Sequence, residues 1–325
     1  MTNSHEPVFI TPNGTLYIAG GHSANCTISV CPIELSVYGY RPSLGASGVF
    51  IALYALCMVA QAILGWRYKT WGFMSLMLLG CVDEIIGYVG RILYWQNPWA
   101  QSGFIIQIVL ITIGPVFFSA AIYVLLAQIV RYISIPSSRF APKYFYWIFI
   151  PCDIVSLVLQ AAGGAISSTS DGGDKAGVDI ALAGLAFQVF TLTAFVVLAI
   201  DYAFRSRAVW LTTRPPIRFV VFSGFLFAAT ILILIRCCYR VYELSGGYER
   251  TSQALRDQTL FIVFESVMVI LASICLIPAH PGFVFKTGLE QLVPDESSPE
   301  KAVSSSVRSA SPSSSAESAE RLGGA

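Results

Sequence analysis

Apolar residues run along this chain in seven long blocks, near residues 45–66, 72–95, 104–130, 144–166, 178–201, 217–239 and 259–280. Each is about 20 residues or longer, enough to cross roughly 30 Å of hydrocarbon as a helix. Polar and charged residues gather in the short intervals between blocks and at the two ends. The pattern predicts an all-α polytopic membrane protein with seven transmembrane helices. An N-terminal tail (1–44) precedes the bundle (45–283), and a Ser-rich C-terminal tail (284–325) follows it. Composition agrees: 55% of residues are hydrophobic and 12% charged, with a mean hydropathy of +0.67. A soluble domain carries about twice that charge density.

The basic residues set the expected orientation. Thirteen Lys and Arg fall in the intervals after the first, third and fifth blocks and in the C-terminal tail, but only five on the alternate side. The positive-inside rule then places the N-terminus outside and the C-terminus in the cytoplasm. Two glycosylation acceptors, Asn13-Gly-Thr15 and Asn25-Cys-Thr27, lie on the side predicted to be outside. So do Cys26 and Cys31, where an oxidising compartment permits a disulfide. The other six cysteines sit in or beside the apolar blocks and read as small core residues. No secretory leader is visible, so the first helix is expected to act as its own insertion signal. Residues 297–319 are dominated by Ser and cannot bury a core, which predicts a disordered tail.

Ionisable groups inside membrane helices are costly and point to function. Glu84, Tyr88 and Arg91 recur at i, i+4 and i+7, on one helix face. Arg236, Arg240 and Glu243 repeat that spacing late in the sixth block. Asp153 and Gln160 share a face of the fourth, Gln107 opens the third, Gln188 lies in the fifth and Glu265 in the seventh. In the predicted orientation Arg91, Gln107, Gln160, Arg236, Arg240 and Glu265 all fall in the outer half of the bilayer. Glu84, Asp153 and Gln188 lie near its middle. The depth pattern predicts a polar vestibule open to the outer leaflet that narrows onto acidic groups. The competing reading is a set of ion pairs that only fix helix register. Gly114-Pro115 is expected to kink the third helix, and His280-Pro-Gly282 to stop the seventh.

Several chemistries find no residues here. The chain has no phosphate-binding loop, no nucleophile elbow and only three His, at 5, 22 and 280. A metal-dependent hydrolase needs a cluster of His and carboxylate ligands that this sequence does not offer. The chain is therefore expected not to be an enzyme and to carry no metal or cofactor. A net charge of +1 speaks against a nucleic-acid partner. No inverted repeat of the secondary-transporter kind is evident.

Read together, the polar motifs form an ordered series. Tyr38-Gly-Tyr-Arg-Pro-Ser-Leu44 precedes the first helix, and Glu84-Ile-Ile-Gly-Tyr-Val-Gly-Arg91 lies in the second. Pro115-Val-Phe-Phe-Ser-Ala-Ala-Ile-Tyr123, Asp153 to Gly164 and Ala183 to Gln188 follow in the next three. Arg236 to Gly247, Glu265 and His280-Pro-Gly282 complete it. Over residues 36–283 the chain closely resembles the fungal lipid-translocating exporters, the RTA-like seven-helix proteins. The resemblance implies export or flip-flop of sphingoid long-chain bases, tolerance of amphiphilic toxins and, in some members, porphyrin handling. It also implies membrane lipids or amphiphiles as partners, and the plasma membrane, or an endomembrane, as location. Family positions correspond to Glu84, Arg91, Asp153, Gln160, Gln188, Arg236, Arg240, Glu243 and Glu265. Ser47 and Gln61 stand where members often carry Asn and His. The seven-helix layout and Ser-rich tail fit a second function equally, that of a lipid or toxin sensor signalling through its cytoplasmic face.

Overall fold

The structure, a computed structural model, describes residues 8–10, 15–18, 26–36, 38–133, 141–169, 175–213, 216–246 and 257–285. The chain divides into a unit of residues 1–285 and a unit of residues 286–325, and the second lies outside the described residues. Asn13 and Asn25 lie outside them too.

The seven apolar blocks are seven helices, each long and apolar enough to cross a membrane. They are α1 (Leu44–Tyr68), α2 (Trp71–Gln96), α3 (Gln101–Ile133), α4 (Lys143–Thr169), α5 (Lys175–Thr213), α6 (Ile217–Ser245) and α7 (Gln258–Cys275). Several run past the predicted ends: α5 continues to Thr213 because nothing between 201 and 213 breaks a helix. The seventh is shorter, its last turn giving way to a looser one after Cys275. Outside the bundle, Val8–Ile10 (β1) pairs antiparallel with Leu16–Ile18 (β2), a short hairpin that the block pattern does not reveal.

Local chemistry sets the helix ends. Ser43 caps α1, its Oγ accepting the Ala46 N–H at 3.3 Å. Lys69 ends α1 in the left-handed conformation, φ 52°, and only Thr70 separates it from α2. A connection that short makes α1 and α2 antiparallel neighbours. Pro115 and Pro151 lie inside α3 and α4 without ending either helix.

The helices close into a ring, with α1 packed on α2 at one side and on α7 at the other. α3 is the central element. It packs against α2, α4, α5, α6 and α7, and 61% of its apolar window is buried, against 22–39% for the other six. Close approach of α2 and α3 depends on glycine: a Cβ at Gly90 would fall 2.9 Å from the backbone N of Gln107. Large apolar side chains such as Leu56, Trp147, Phe190 and Phe204 point outward, where bilayer lipid covers them.

Beyond α7 the chain turns back under the bundle. His280 is fully buried and clamps this turn. Its Nδ1 accepts the Gly282 N–H at 3.1 Å, so the neutral ring carries its proton on Nε2, 3.1 Å from Thr70 Oγ1. Burial holds its pKa down at about 4. A histidine depressed in the folded state stabilises fully above its unfolded pKa. That stability drains as pH falls from about 6.5 to about 4, because the unfolded chain takes the proton first. The solubilised protein is expected to lose on the order of 3 kcal/mol across that window. His280→Asn keeps an acceptor for Gly282 and cannot titrate, so thermal unfolding of that variant should lack the slope; an unchanged slope would assign it to other groups.

Candidate functional site

The buried charge centres on a proline. Pro115 has no N–H, so the carbonyl of Ile111, one turn earlier on α3, loses its helical partner. Arg236 of α6 reaches into this gap. Its Nη2 donates to Ile111 O at 3.0 Å and to Glu265 Oε1 of α7 at 2.6 Å. Arg236 and Glu265 are 1% and 0% exposed, so neither charge can be met by water at the surface.

Glu265 is placed by a change of helix type. Phe261–Val267 of α7 is π-helical, a wider turn frequent at functional positions. No Gly or Pro lies between Gln258 and Cys275 to announce it. Glu265 Oε2 stands 4.0 Å from Arg240 Nε, one turn up α6 from Arg236. Arg240 also pairs with Glu243 and donates to Thr112 Oγ1 of α3 at 3.3 Å. Glu84 of α2 lies against Gly114, where a Cβ would fall 2.7 Å from its Oε1. It is near enough to Arg236 and Glu265 to feel both charges. Glu84 is buried, and its Oε1 has no hydrogen-bond partner among the described residues.

A narrow cleft with a cavity volume of about 10 Å³ opens beside this network, lined by Tyr38, Gln107, Thr112, Arg240, Phe261 and Glu265, with Ile108 and Ile111. It lies at the end of the bundle that carries the N-terminal segment. That segment is strapped down by three contacts. Arg41 donates to Trp95 O at 3.0 Å and stacks on its ring. Gln107 Nε2 donates to Tyr38 OH at 3.1 Å, and Arg91 Nη2 to Tyr40 OH at 3.3 Å. Arg91 also lies over the Phe261 ring, 4.1 Å from its centre. Burial pushes the Tyr38 phenol well up, and that of Tyr40 up against the opposing pull of Arg91, so both remain neutral hydroxyls. Further out, Cys26 and Cys31 form a disulfide, Cα atoms 5.6 Å apart, packed with Trp99.

The polar residues expected to share one vestibule therefore separate. Glu84, Arg236, Arg240, Glu243 and Glu265 come together, and Arg91, Gln107 and Tyr88 lie beside them on the α2–α3–α7 side. Gln160 and Gln188 do not line the cleft. Gln160 Nε2 donates to Gln188 Oε1 at 3.1 Å and to Ser156 Oγ at 2.8 Å, and Ser156 donates to Gly184 O at 2.9 Å. Amide and hydroxyl groups thus pin α4 to α5. Asp153 accepts from Tyr123 OH at 2.9 Å, between α4 and α3, with its Oδ1 unpartnered among the described residues. Helical spacing and depth do not select Tyr38, Tyr40, Thr112, Tyr123 or Phe261 as site residues. The Tyr-Gly-Tyr-Arg stretch at the membrane boundary is the available signal for the first two. Nothing local marks Thr112 or Phe261.

The family described as RTA1 like protein matches residues 77–288, and the chain belongs to that family. A Saccharomyces cerevisiae (strain Lalvin EC1118) protein named Sphingoid long-chain base transporter RSB1 is 28% identical over 295 residues, covering 77% of this chain and 75% of its own length. Protein RTM1 of S. cerevisiae is 29% identical over 218 residues, 65% of this chain and 68% of the relative. Protoporphyrin uptake protein 1 of S. cerevisiae is 29% identical over 201 residues, 60% and 64% of the two. No solved structure is significantly similar.

Removing one partner of a buried ion pair leaves the other uncompensated, at a cost of about 3–5 kcal/mol, whereas an apolar replacement of both is far milder. Glu265→Leu is therefore expected to destabilise the protein in that range, and Arg236→Met with Glu265→Leu to recover part of the loss, the Ile111 carbonyl left without its donor retaining about 1–3 kcal/mol. Denaturant unfolding in mixed micelles measures both. A double variant as unstable as the single would show that Arg236 and Glu265 are not a mutually dependent pair.

Proposed function

We propose that this RTA1-like protein moves cationic amphiphiles with an amine head, sphingoid long-chain bases foremost, across a lipid bilayer. One observation carries the reading: a buried carboxylate oxygen, Glu84 Oε1, stands without a hydrogen-bond partner among the described residues, next to the Arg236–Glu265 pair whose Glu265 lines the cleft. An ammonium group brings three N–H donors and no acceptor, the complement of such a site. Asp153 Oδ1 is a second acceptor of the same kind in the bundle. The family and the name of the yeast transporter support the same substrate class.

With room for about one water, the cleft is far smaller than the roughly 300–1,000 Å³ of a site that encloses a whole drug-sized ligand. In this proposal the helices part to admit a head group, while the acyl tail stays in lipid between them. Arg236 is neutralised by Glu265, so the network does not repel a cation. With no phosphate-binding loop in the sequence, movement in this proposal is down a gradient or proton-coupled. The N-terminal end faces outward in this proposal, in keeping with the Cys26–Cys31 disulfide and the distribution of Lys and Arg. The plasma membrane is then the proposed location, Asn13 and Asn25 are available for glycosylation, and tolerance of amphiphilic toxins follows from their removal.

Liposomes holding only the purified protein and a fluorescent sphingoid base test this directly. Flip-flop is expected to exceed that in empty liposomes. Glu84→Gln should slow it at least about tenfold, equal to about 1.4 kcal/mol of barrier, with Asp153→Asn acting in the same direction. Saturable binding of the base without any flip-flop would overturn the translocator reading in favour of a sensor.

A further inference from the structure

α1, α2 and α7 share a second buried polar feature that leads away from the cleft. On α1, Tyr54 and Gln61 are both 0% exposed and lie seven residues apart on the inward face. The Tyr54 hydroxyl and both amide atoms of Gln61 have no hydrogen-bond partner among the described residues, as is true of Glu84 Oε1 on α2. α7 adds Ser266 and Ser273, again seven apart and buried. The rings of Tyr54 and Tyr88 stack with centroids 6.0 Å apart, and the Tyr88 and Ser266 hydroxyls lie together. Ser273 lies against the thiols of Cys57 and Cys81, which are weak partners.

Depth orders these groups. At ~1.5 Å per residue, Gln61 and Ser273 lie about 10 Å from the face where Tyr68, Thr70 and His280 meet, and Tyr54, Glu84 and Ser266 about 20 Å from it. They form a line along the α1–α2–α7 seam. Hydrocarbon offers no partner to an amide or hydroxyl, and buried polar groups of folded proteins are met by protein or by ordered water. Where side chains of an apolar seam would have been Leu or Val, this one carries Tyr, Gln, Glu and Ser.

We propose that the seam binds a file of water molecules running from Glu84 to Gln61 and Ser273, and that this file is the route by which the Glu84 carboxyl exchanges its proton with the His280 end. The step is a simple acid dissociation. The O–H bond of the Glu84 carboxylic acid breaks, its proton joins the adjacent water, and the charge passes along the file; the reverse step restores the acid. The ionisable groups facing Glu84 are Tyr54 from α1, Cys81, Asp83 and Tyr88 from α2, Arg236 from α6 and Glu265 from α7, while α3 presents Gly114. Glu265 is held by Arg236 and Asp83 is only half-buried, which leaves Glu84 as the fully buried carboxyl that exchanges. The cargo of the protein does not enter this inference.

Infrared difference spectroscopy of the full chain in lipid after a pH jump tests it without any cargo. The protonated-carboxyl band that vanishes in Glu84→Gln reports Glu84. In Gln61→Leu its growth is expected to slow at least about tenfold, equal to about 1.4 kcal/mol of barrier. Tyr54→Phe and Ser273→Ala each delete one oxygen and little packing, and should slow it in the same direction. They keep the test valid if Gln61→Leu misfolds. A Glu84 band that grows at the same rate in these variants, or no titrating band that depends on Glu84, would overturn the proposal.

Discussion

A guanidinium in the middle of a membrane protein must be neutralised and hydrogen-bonded, and the way Arg236 meets that demand organises this bundle. Pro115 frees the Ile111 carbonyl of α3, and Arg236 of α6 takes it. Glu265, carried inward on the π turn of α7, supplies the counter-charge. Glu84 of α2 fits beside them because residue 114 has no side chain. Four helices meet at one polar junction, and the central position of α3 follows from it. The backbone defect and the buried charge would each be costly alone, and together each satisfies the other.

Around that junction the buried polar residues divide their work. Gln160, Gln188 and Ser156 join α4 to α5, and Tyr123 with Asp153 joins α3 to α4. These bonds stand where hydrocarbon gives helices little reason to associate. Arg91 and Gln107 hold the N-terminal segment over the cleft through Tyr40 and Tyr38. What is left without a bond concentrates at Glu84 and along the α1–α2–α7 seam. The same bundle thus offers a fixed side, α4–α5, and a side with unmet hydrogen-bonding capacity, α1–α2–α7.

The seven spans were legible because hydrocarbon permits little else than long apolar helices. The grouping of Arg236, Arg240 and Glu265 was partly legible, since depth placed all three in the outer half of the bilayer, whereas it placed Glu84 near the middle. Gln160 passed the same depth test, yet it bonds to Gln188 and Ser156, because depth along a helix does not say which neighbour it faces. Pro115 was visible as a break in the α3 hydrogen-bond ladder, whereas the use of the Ile111 carbonyl by an arginine more than a hundred residues later was not. A π turn at Phe261–Val267 has no Gly or Pro signature, so the inward turn of Glu265 could only come from the structure. The β1–β2 hairpin escaped notice for a simpler reason: two three-residue strands fall below any periodicity.

In the proposed mechanism the cleft between α3, α6 and α7 widens to receive the polar head of an amphiphile from the N-terminal side. Thr112 lines that cleft beside Arg240. Thr112→Cys in sealed proteoliposomes, treated with a membrane-impermeant thiol reagent and read by peptide mass, tests it. The expected result is modification from the N-terminal side that a sphingoid base suppresses at saturating concentration. An introduced thiol that reacts equally with and without the base, or only from the opposite side, would contradict it.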